Sequence, residues 1–283
     1  AGKFLSIYLL LAIGLKGGYQ VQTADSLNGF ASTLLLGLIS CIIIPLIIFH
    51  FFKKQLGVIN SSALGACLGS VSAVTFVTAQ GALGNSSLES SGFMVAVMAL
   101  MEIPAVIIAL YLFQRDNQNT VSVWQPLKGA LTNKSVILLV SGFLVGMVLN
   151  EKTWVDFEPF TLGIFKGMLG LFLLDLGVGA QEKFSDAIKF KMTSLLTGII
   201  LPLAFGTLFA FLGSAAGLRD GDAFLLAVLT GSASYIAAPA AIRAVAPTAN
   251  TALYVGIPLG ITFPFNILIG IPYYLQLTEY LYQ

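Results

Sequence analysis

Two apolar stretches of the sequence place glycines and hydroxyl side chains where a membrane helix normally has hydrocarbon. The first is Gly69–Gly81, and the second is Thr230–Arg243, which also contains Pro239. Glycine permits a helix to unwind and proline removes a backbone donor, so both stretches are predicted to contain a break. The N-terminus exposed at a break attracts an anion, while free carbonyls and hydroxyls coordinate a hard cation such as sodium.

Close packing between helices is the alternative explanation for small residues at membrane depth. Gly142–Gly146 and Gly163–Gly167 are patterns of this kind, in which glycines four residues apart permit helices to approach closely. We assign these two patterns to packing, including packing between protomers. For the two hydroxyl-rich stretches we favour a binding site, because they occupy equivalent positions in an internal repeat.

Three ionisable residues lie inside apolar runs, where such groups are functional by default. Glu102, beside Pro104, suits a sodium ligand or a proton carrier; alternatively it is a protonated acid bonded to a neighbouring helix. Asp175 lies nearer to a span end and could pair with Lys183. Lys166 lies one helical turn from a span end, so its long side chain can reach the interface.

The composition requires a protein that dissolves in lipid. Hydrophobic residues make up 57% of the chain and charged residues 10%, whereas a soluble domain carries about 25% charge. This balance excludes a soluble enzyme. The net charge of +1 provides no basic field for nucleic acid, so we expect no nucleic-acid partner.

The remaining reactive side chains offer little chemistry. Cys41 and Cys67 lie in apolar runs and are interpreted as packed free thiols. His50 is the only histidine, so we expect no transition-metal or haem site. Gly231–Ser234 has a faint likeness to a serine-hydrolase turn, but His50 lies at a span end, so we do not expect an enzyme.

Nine apolar runs are long enough, or nearly so, to cross a membrane at about 20 residues per span. Short polar loops separate them, and the longest loop is Gln114–Lys134. The predicted spans are Phe4–Gly18, Leu27–Phe52, Ser62–Gly84, Gly92–Phe113, Ser135–Asn150, Phe160–Ala180, Thr193–Gly217, Asp222–Val245 and Asn250–Leu275.

Basic residues predict the orientation of these spans. Of the 14 Lys and Arg residues, ten fall on one side of the membrane, three on the other and Lys166 within a span. Loops rich in Lys and Arg stay cytoplasmic. Residue 1 is therefore predicted to be cytoplasmic and Gln283 to lie outside, in a plasma-membrane protein.

The two halves of the chain resemble each other at offsets of 163, 162 and 160 positions. The matching pairs are Tyr8–Gly14 with Leu171–Gly177, Gly69–Ser72 with Gly231–Ser234, and Pro104 with Pro264. This offset corresponds to five spans, which is an odd number. The two copies therefore insert with opposite orientation, as in many secondary transporters.

We therefore predict an all-α polytopic membrane protein with an inverted-topology 5+5 repeat and two broken, crossing helices. Residues 1–113 form the first repeat without its first helix, residues 114–134 a cytoplasmic connecting loop, and residues 135–283 the second repeat. Nine helices are then visible, because the partner of Ser135–Asn150 would precede residue 1.

Several motifs, taken in their order and spacing, resemble the sodium-dependent bicarbonate transporter family known from cyanobacteria. The motifs are Ile13–Gly18, Gly69–Ala73, Met101–Ala105, Ser232–Arg243, Pro247–Asn250 and Tyr254–Pro264. The resemblance runs through essentially the whole chain. It implies a ten-helix, homotrimeric permease that couples inward bicarbonate movement to sodium.

The resemblance also implies a binding site where the two broken helices cross. The residues assigned to the anion, mainly through backbone amides, are Ser70, Ser72, Ala73, Thr75, Ser232, Ser234 and Tyr235. The family's acidic residue before Ile-Pro-Ala is Glu102 here. The residues assigned to sodium are Glu102, Ser72, Thr78 and Ser234.

The sequence departs from the family pattern at two places. Tyr235 stands where cyanobacterial members carry an acidic residue, which puts the sodium stoichiometry and the substrate in question. Some members bind a PII-like cytoplasmic regulator. The shortened loop Gln114–Lys134 weakens the expectation of such a partner.

The most specific interpretation is a sodium:bicarbonate symporter, with sodium as coupling ion and no organic cofactor. The alternatives are a sodium-coupled carrier of another small anion, such as a short carboxylate, and a non-transporting membrane sensor. A tight polar pocket favours bicarbonate. A pocket with spare volume beside Phe76, Phe263 and Tyr235 favours the larger anion.

Overall fold

The computed structural model describes residues 2–23, 27–84, 86–117, 134–190 and 192–283. Every regular element in these residues is a helix, which confirms the predicted all-α class. Within them, six helices are long and apolar enough to cross a membrane, and Ile137–Gly146 is a shorter apolar helix. The six are Lys3–Gln22, Phe30–Leu83, Met94–Phe113, Glu151–Phe190, Leu196–Ala215 and Ala252–Leu281.

The first half of the chain contains five helices. These are α1 (Gly2–Gln22), α2 (Phe30–Gly69), α3 (Ala73–Leu83), α4 (Met94–Met101) and α5 (Pro104–Asn117). Residues 118–133 of the predicted connecting loop lie outside the described residues, while α5 continues into the start of that segment.

The second half is divided into shorter helices, several of which are joined by π-helical turns. The α-helices are α6 (Lys134–Gly146), α7 (Glu151–Glu158), α8 (Phe165–Ala187), α9 (Met192–Leu195), α10 (Leu201–Ala215), α11 (Asp220–Thr230), α12 (Ala237–Val245), α13 (Phe263–Phe265) and α14 (Ile271–Leu281). The π-helical turns are Pro159–Gly163, Leu196–Ile200, Ala252–Gly256, Pro258–Thr262 and Asn266–Gly270.

The second and third predicted spans are joined by a bend instead of a loop. The segment α2 consists of two helices that meet at Gly57, the one residue within it whose dihedral angles are not helical, with φ 74° and ψ 167°. This positive φ is a conformation that glycine adopts readily and other residues avoid. Our prediction of a polar loop there was wrong, because Gly57 alone turns the chain.

Helices α1 and α6 approach closely through glycines on both. A Cβ atom at Gly14 or Gly18 would overlap the backbone of α6, and one at Gly142 or Gly146 would overlap the backbone of α1. The Gly142–Gly146 pattern therefore permits close packing between two helices of the same chain, as small residues commonly do in membrane proteins. It is not available to a neighbouring protomer, which corrects our assignment of this face to the trimer.

The other GxxxG pattern lies at an open surface of the described structure. A Cβ atom at Gly167 would meet no other atom within 4 Å, and Leu171 and Leu174 on the following turns are exposed. This face is where lipid or another protomer would contact α8.

Helix α11 lies in the middle of the molecule. Each residue of the segment 223–229 is at most 1% exposed. At its start, the carboxylate of Asp222 accepts hydrogen bonds from the amide and the Oγ of Ser91, both at 2.7 Å. These contacts hold α11 against the α3–α4 loop, so the C-terminal end of α11 is placed deep in the protein.

Candidate functional site

The chain leaves the helical conformation between α2 and α3. Ser70 and Ser72 are extended, with φ/ψ of −90°/171° and −109°/111°. The Oγ of Ser72 then caps α3 by accepting a hydrogen bond of 3.1 Å from the amide of Thr75, as serine does at a helix N-terminus. The break predicted near residues 70–75 is present.

A second break separates α11 from α12. The Oγ of Ser232 donates to the carbonyl of Leu229 at 2.8 Å, and the Oγ of Ser234 accepts from the amide of Ala238 at 3.2 Å. Pro239 lies in the first turn of α12, where a missing N–H breaks no helical bond. This break also falls where the sequence predicted it.

The two breaks contact each other directly. The amide of Ser72 donates to the Oγ of Ser232 at 3.0 Å, and the amide of Ser234 donates to the carbonyl of Cys67 at 2.8 Å. The N-termini of α3 and α12 therefore lie at one place. The equivalence of the two halves as an inverted repeat stays a prediction.

Several backbone amides at these N-termini have no hydrogen-bond partner among the described residues. Around the first break, the bonds use the amides of Ser72, Thr75 and Phe76. Around the second, they use the amides of Ser232, Ser234, Ala238 and Ala240. The amides that remain include those of Ala73, Val74, Tyr235, Ile236 and Ala237. An anion is the natural partner for such groups.

All five of these residues line one small cavity. The space open to the centre of a water molecule is about 20 Å³, which is enough for roughly one water. The lining residues are Ser6, Leu10, Val71, Ser72, Ala73, Val74, Glu102, Ser234, Tyr235, Ile236 and Ala237. Helices α1, α3 and α12, with the α4–α5 junction, thus surround a single space that several polar groups reach.

Glu102 reaches this cavity from a third interruption. Helix α4 ends at Met101 and α5 begins at Pro104. Glu102 is 4% exposed, and its Oε2 is buried without a hydrogen-bond partner among the described residues. Its backbone carbonyl accepts a bond of 3.1 Å from the Oγ of Ser70. An unpartnered carboxylate oxygen at this depth requires a proton or a cation.

The assigned site residues divide into two groups. Ser72, Ala73, Ser234, Tyr235 and Glu102 line the cavity. The other four, Ser70, Thr75, Thr78 and Ser232, do not line it.

In this second group, the hydroxyls of Ser70, Ser232 and Thr78 donate hydrogen bonds to backbone carbonyls. Ser70 bonds to Glu102 and Ser232 to Leu229, while the Oγ1 of Thr78 donates to Val74 at 2.9 Å. Thr78 is thus engaged within its own helix.

The aromatic residues leave little room for a large ligand. Tyr235 packs edge-on against Phe263 with the ring centroids 5.5 Å apart. The hydroxyl of Tyr235 is buried beside the side chain of Ser72. Phe76 is fully buried and does not line the cavity. The cavity is therefore narrow beside Tyr235 and Phe263.

Two kinds of residue at the site were missed from the sequence. Ser6 and Leu10 of α1 line the cavity, although no pattern in α1 marks them. Asn266 is fully buried, and its Nδ2 donates to the carbonyl of Gly231 at 2.9 Å, which supports the second break. Asn266 could have been found from the sequence, because it is a polar residue in an otherwise apolar run.

Asp175 and Lys166, the other ionisable residues singled out, lie away from the cavity. Both are on α8 with exposed side chains, and neither lines the space between the breaks. Of the three intramembrane ionisable residues considered, Glu102 is the one at the site.

A multi-pass helical protein whose two discontinuous helices meet around a polar cavity has the construction of a membrane transporter. The family comparison agrees with this class. The chain belongs to the Na+-dependent bicarbonate transporter superfamily, whose model matches residues 1–279. A comparison with curated proteins gives no match. The family resemblance recognised from the motifs is thereby confirmed.

Proposed function

We propose that this chain is a secondary active transporter that carries bicarbonate together with sodium. The observation that supports it is the composition of one cavity, where unpaired amides of two helix N-termini lie beside the unpaired carboxylate oxygen of Glu102. The unpaired amides are donors that an anion can satisfy. The unpaired carboxylate oxygen is an acceptor that a cation can satisfy.

The anion is held by the backbone. The amides of Ala73 and Val74 come from α3, and those of Tyr235, Ile236 and Ala237 come from α12. The positive ends of both helix dipoles add to their attraction. No lysine or arginine lines the cavity within the described residues, so these groups and a bound cation must neutralise the anion.

Sodium binds at Glu102 and is the coupling ion. The carboxylate Oε2 supplies charge, and the hydroxyls of Ser72 and Ser234 line the same cavity. Oxygen ligands of this kind suit a hard cation. Thr78, which was also assigned to sodium, contributes only if its hydroxyl leaves the carbonyl of Val74.

The size of the cavity favours bicarbonate over a longer carboxylate. A space of about 20 Å³ for water centres admits a compact planar anion only with slight widening. The ring of Phe263 is already in contact with Tyr235, and Phe76 lies outside the cavity, so no adjoining aromatic volume is open to a longer chain.

The expected cellular arrangement follows from the charge bias and the family. We infer a plasma-membrane protein with residue 1 in the cytoplasm and Gln283 outside, assembled as a homotrimer. The exposed α8 face around Gly167 is the remaining small-residue surface for protomer contact. A PII-like regulator would have to contact the cytoplasmic loops.

Uptake of labelled bicarbonate by proteoliposomes tests the proposal. We expect an inward sodium gradient to drive accumulation, and an equal potassium gradient to drive none. Counterflow of bicarbonate separates a transporter from a membrane sensor, because a sensor exchanges nothing. Accumulation of acetate, but not of bicarbonate, would instead identify a carboxylate carrier.

A further inference from the structure

A second polar cavity lies between α1, α3 and the start of α8, and the proposed central site does not use it. Its space for water centres is about 30 Å³. The polar side chains that line it are those of Lys16, Gln20, Gln80 and Thr161. Its apolar lining residues include Ile13, Val95 and Phe165.

Lys16 is the charged group of this cavity, and it is half-buried. Within the described part of the chain it forms no ion pair, and none of the cavity's lining residues is acidic. The side-chain amides of Gln20 and Gln80 likewise have no hydrogen-bond partner there. A half-buried ammonium without a counter-charge is unfavourable unless an anion accompanies it.

Both cavities lie along the same two helices. On α1 the lining residues pass from Leu10 in the central cavity to Lys16 in the second, and on α3 they pass from Val74 to Gln80. Each step is six residues, or about 9 Å along a helix. The buried side chains of Ile13 and Val77 lie at the heights between them.

Helix α1 is held firmly in the orientation that presents Lys16 to this cavity. A Cβ atom at Gly14 or Gly18 would overlap α6, and one at Gly17 would overlap Gly92 and Val95. The Gly14 and Gly18 contacts occupy the face of α1 that packs against α6, while Gly17 and Val95 meet at the wall of the cavity itself. Because α1 cannot rotate without separating from α4 and α6, the ammonium of Lys16 is aimed between α3 and α8.

We propose that Lys16, Gln20 and Gln80 form an outer relay site, where the transported anion waits before it passes between Ile13 and Val77 to the central cavity. This inference rests on the proposed function. The ammonium supplies the charge that the central site lacks, and the two amides donate hydrogen bonds to the anion's oxygens. The relay site lies towards the end of α1 that is distant from residue 1.

Initial rates of bicarbonate uptake at saturating sodium test this site. Lys16→Gln is expected to raise the KM for bicarbonate about tenfold, as loss of a charge-assisted bond does, with the maximal rate within about twofold of wild type. Lys16→Arg is expected to retain the wild-type KM. Lys152→Gln removes an exposed lysine of α7 and serves as the matched control.

Chemical rescue distinguishes charge from structure. In Lys16→Cys, labelling with aminoethyl methanethiosulfonate restores an ammonium, whereas methyl methanethiosulfonate does not; the native Cys41 and Cys67 are both buried. We expect only the ammonium reagent to restore the low KM. Equal rescue by both reagents, or a Lys16→Gln curve matching that of Lys152→Gln, overturns the relay site alone. A wild type that takes up no bicarbonate overturns the proposed function, and the relay with it.

Discussion

The backbone amide of Ser72 donates a hydrogen bond of 3.0 Å to the side-chain oxygen of Ser232, 160 residues away. Because the hydroxyl hydrogen of Ser232 is already given to Leu229, its lone pair is directed at the first break. This bond joins the start of α3 to the end of α11. Relative movement of the two breaks must therefore stretch it.

A bulky side chain at Ser234 is expected to block the anion. Ser234→Leu adds two heavy atoms to a side chain that lines a cavity with room for about one water, so binding of labelled bicarbonate at saturating sodium is predicted to disappear. Gel filtration is expected to show the same assembled protein as wild type. Ser72→Leu is predicted to behave in the same way.

Ser234→Ala is the control for the lost cap. It removes the bond to the amide of Ala238, which stabilises a helix start by about 1 kcal/mol, but it leaves the cavity open. We expect it to bind bicarbonate at saturating sodium, more weakly than wild type because one assigned sodium ligand is also lost. If Ser234→Leu binds as well as Ser234→Ala, the anion does not occupy this cavity.

Removal of the charge at Glu102 is expected to remove sodium dependence. Glu102→Gln keeps the shape of the side chain, but a neutral amide binds sodium poorly, so sodium-driven uptake is predicted to fall at least tenfold, equivalent to about 1.4 kcal/mol. The measurement is uptake against sodium concentration in proteoliposomes.

Glu151→Gln is the matched control for Glu102→Gln. It neutralises an exposed acid in the first turn of α7 and is expected to leave the sodium curve unchanged. Identical sodium curves for the two variants would show that Glu102 is a structural, protonated acid, which was the alternative considered from the sequence.

The α1–α6 contact is expected to be intolerant of a single methyl group. Gly18→Ala places its Cβ against the carbonyl of Phe143, and overpacking of this kind costs about 1–3 kcal/mol. We predict a lower thermal unfolding midpoint in detergent. Gly179→Ala in α8 adds a Cβ that meets no atom within 4 Å, and it avoids the Gly167 face proposed for protomer contact. It is expected to leave the midpoint unchanged or slightly raised, since alanine favours helix. Equal midpoints for both variants would contradict the packing described.

The helix breaks could be predicted from the sequence because their causes are local. Glycine, serine and proline act on the backbone within a few residues, so Ser72 and Ser234 were found at the breaks. The contribution of Ser6 and Leu10 could not be predicted, since it depends on how α1 packs against α3. Nothing in the composition of α1 distinguishes that face from its others.

Side-chain roles were less predictable than backbone breaks. Thr78 was assigned to sodium by its position, but a threonine hydroxyl in a helix can bond to the carbonyl four residues earlier, and it does so here. Gly57 looked like part of a loop because a polar stretch surrounds it, whereas a single positive φ bends the helix there. The first outcome depends on a hydrogen bond and the second on a backbone dihedral angle, and a linear pattern shows neither.

The last prediction concerns the coupling between the two ligands. The central cavity contains unpaired amides but, within the described residues, no lysine or arginine. Bicarbonate in this cavity has a cation beside it only when sodium is bound at Glu102. Sodium has a second anion beside it only when bicarbonate is bound. Each ligand is therefore expected to raise the affinity for the other by the same factor, because coupling free energies are reciprocal. Couplings of this kind are typically about 1–3 kcal/mol, or roughly 5–150-fold.

Calorimetric titration of bicarbonate with sodium absent and saturating, and of sodium with bicarbonate absent and saturating, measures both factors in one protein preparation. Choline replaces sodium as the control for ionic strength. In Glu102→Gln both factors are expected to approach one, while the weak sodium-independent binding of bicarbonate to the amides persists. Bicarbonate binding that is equally tight in choline and in sodium would refute this mechanism even if the anion occupies the cavity.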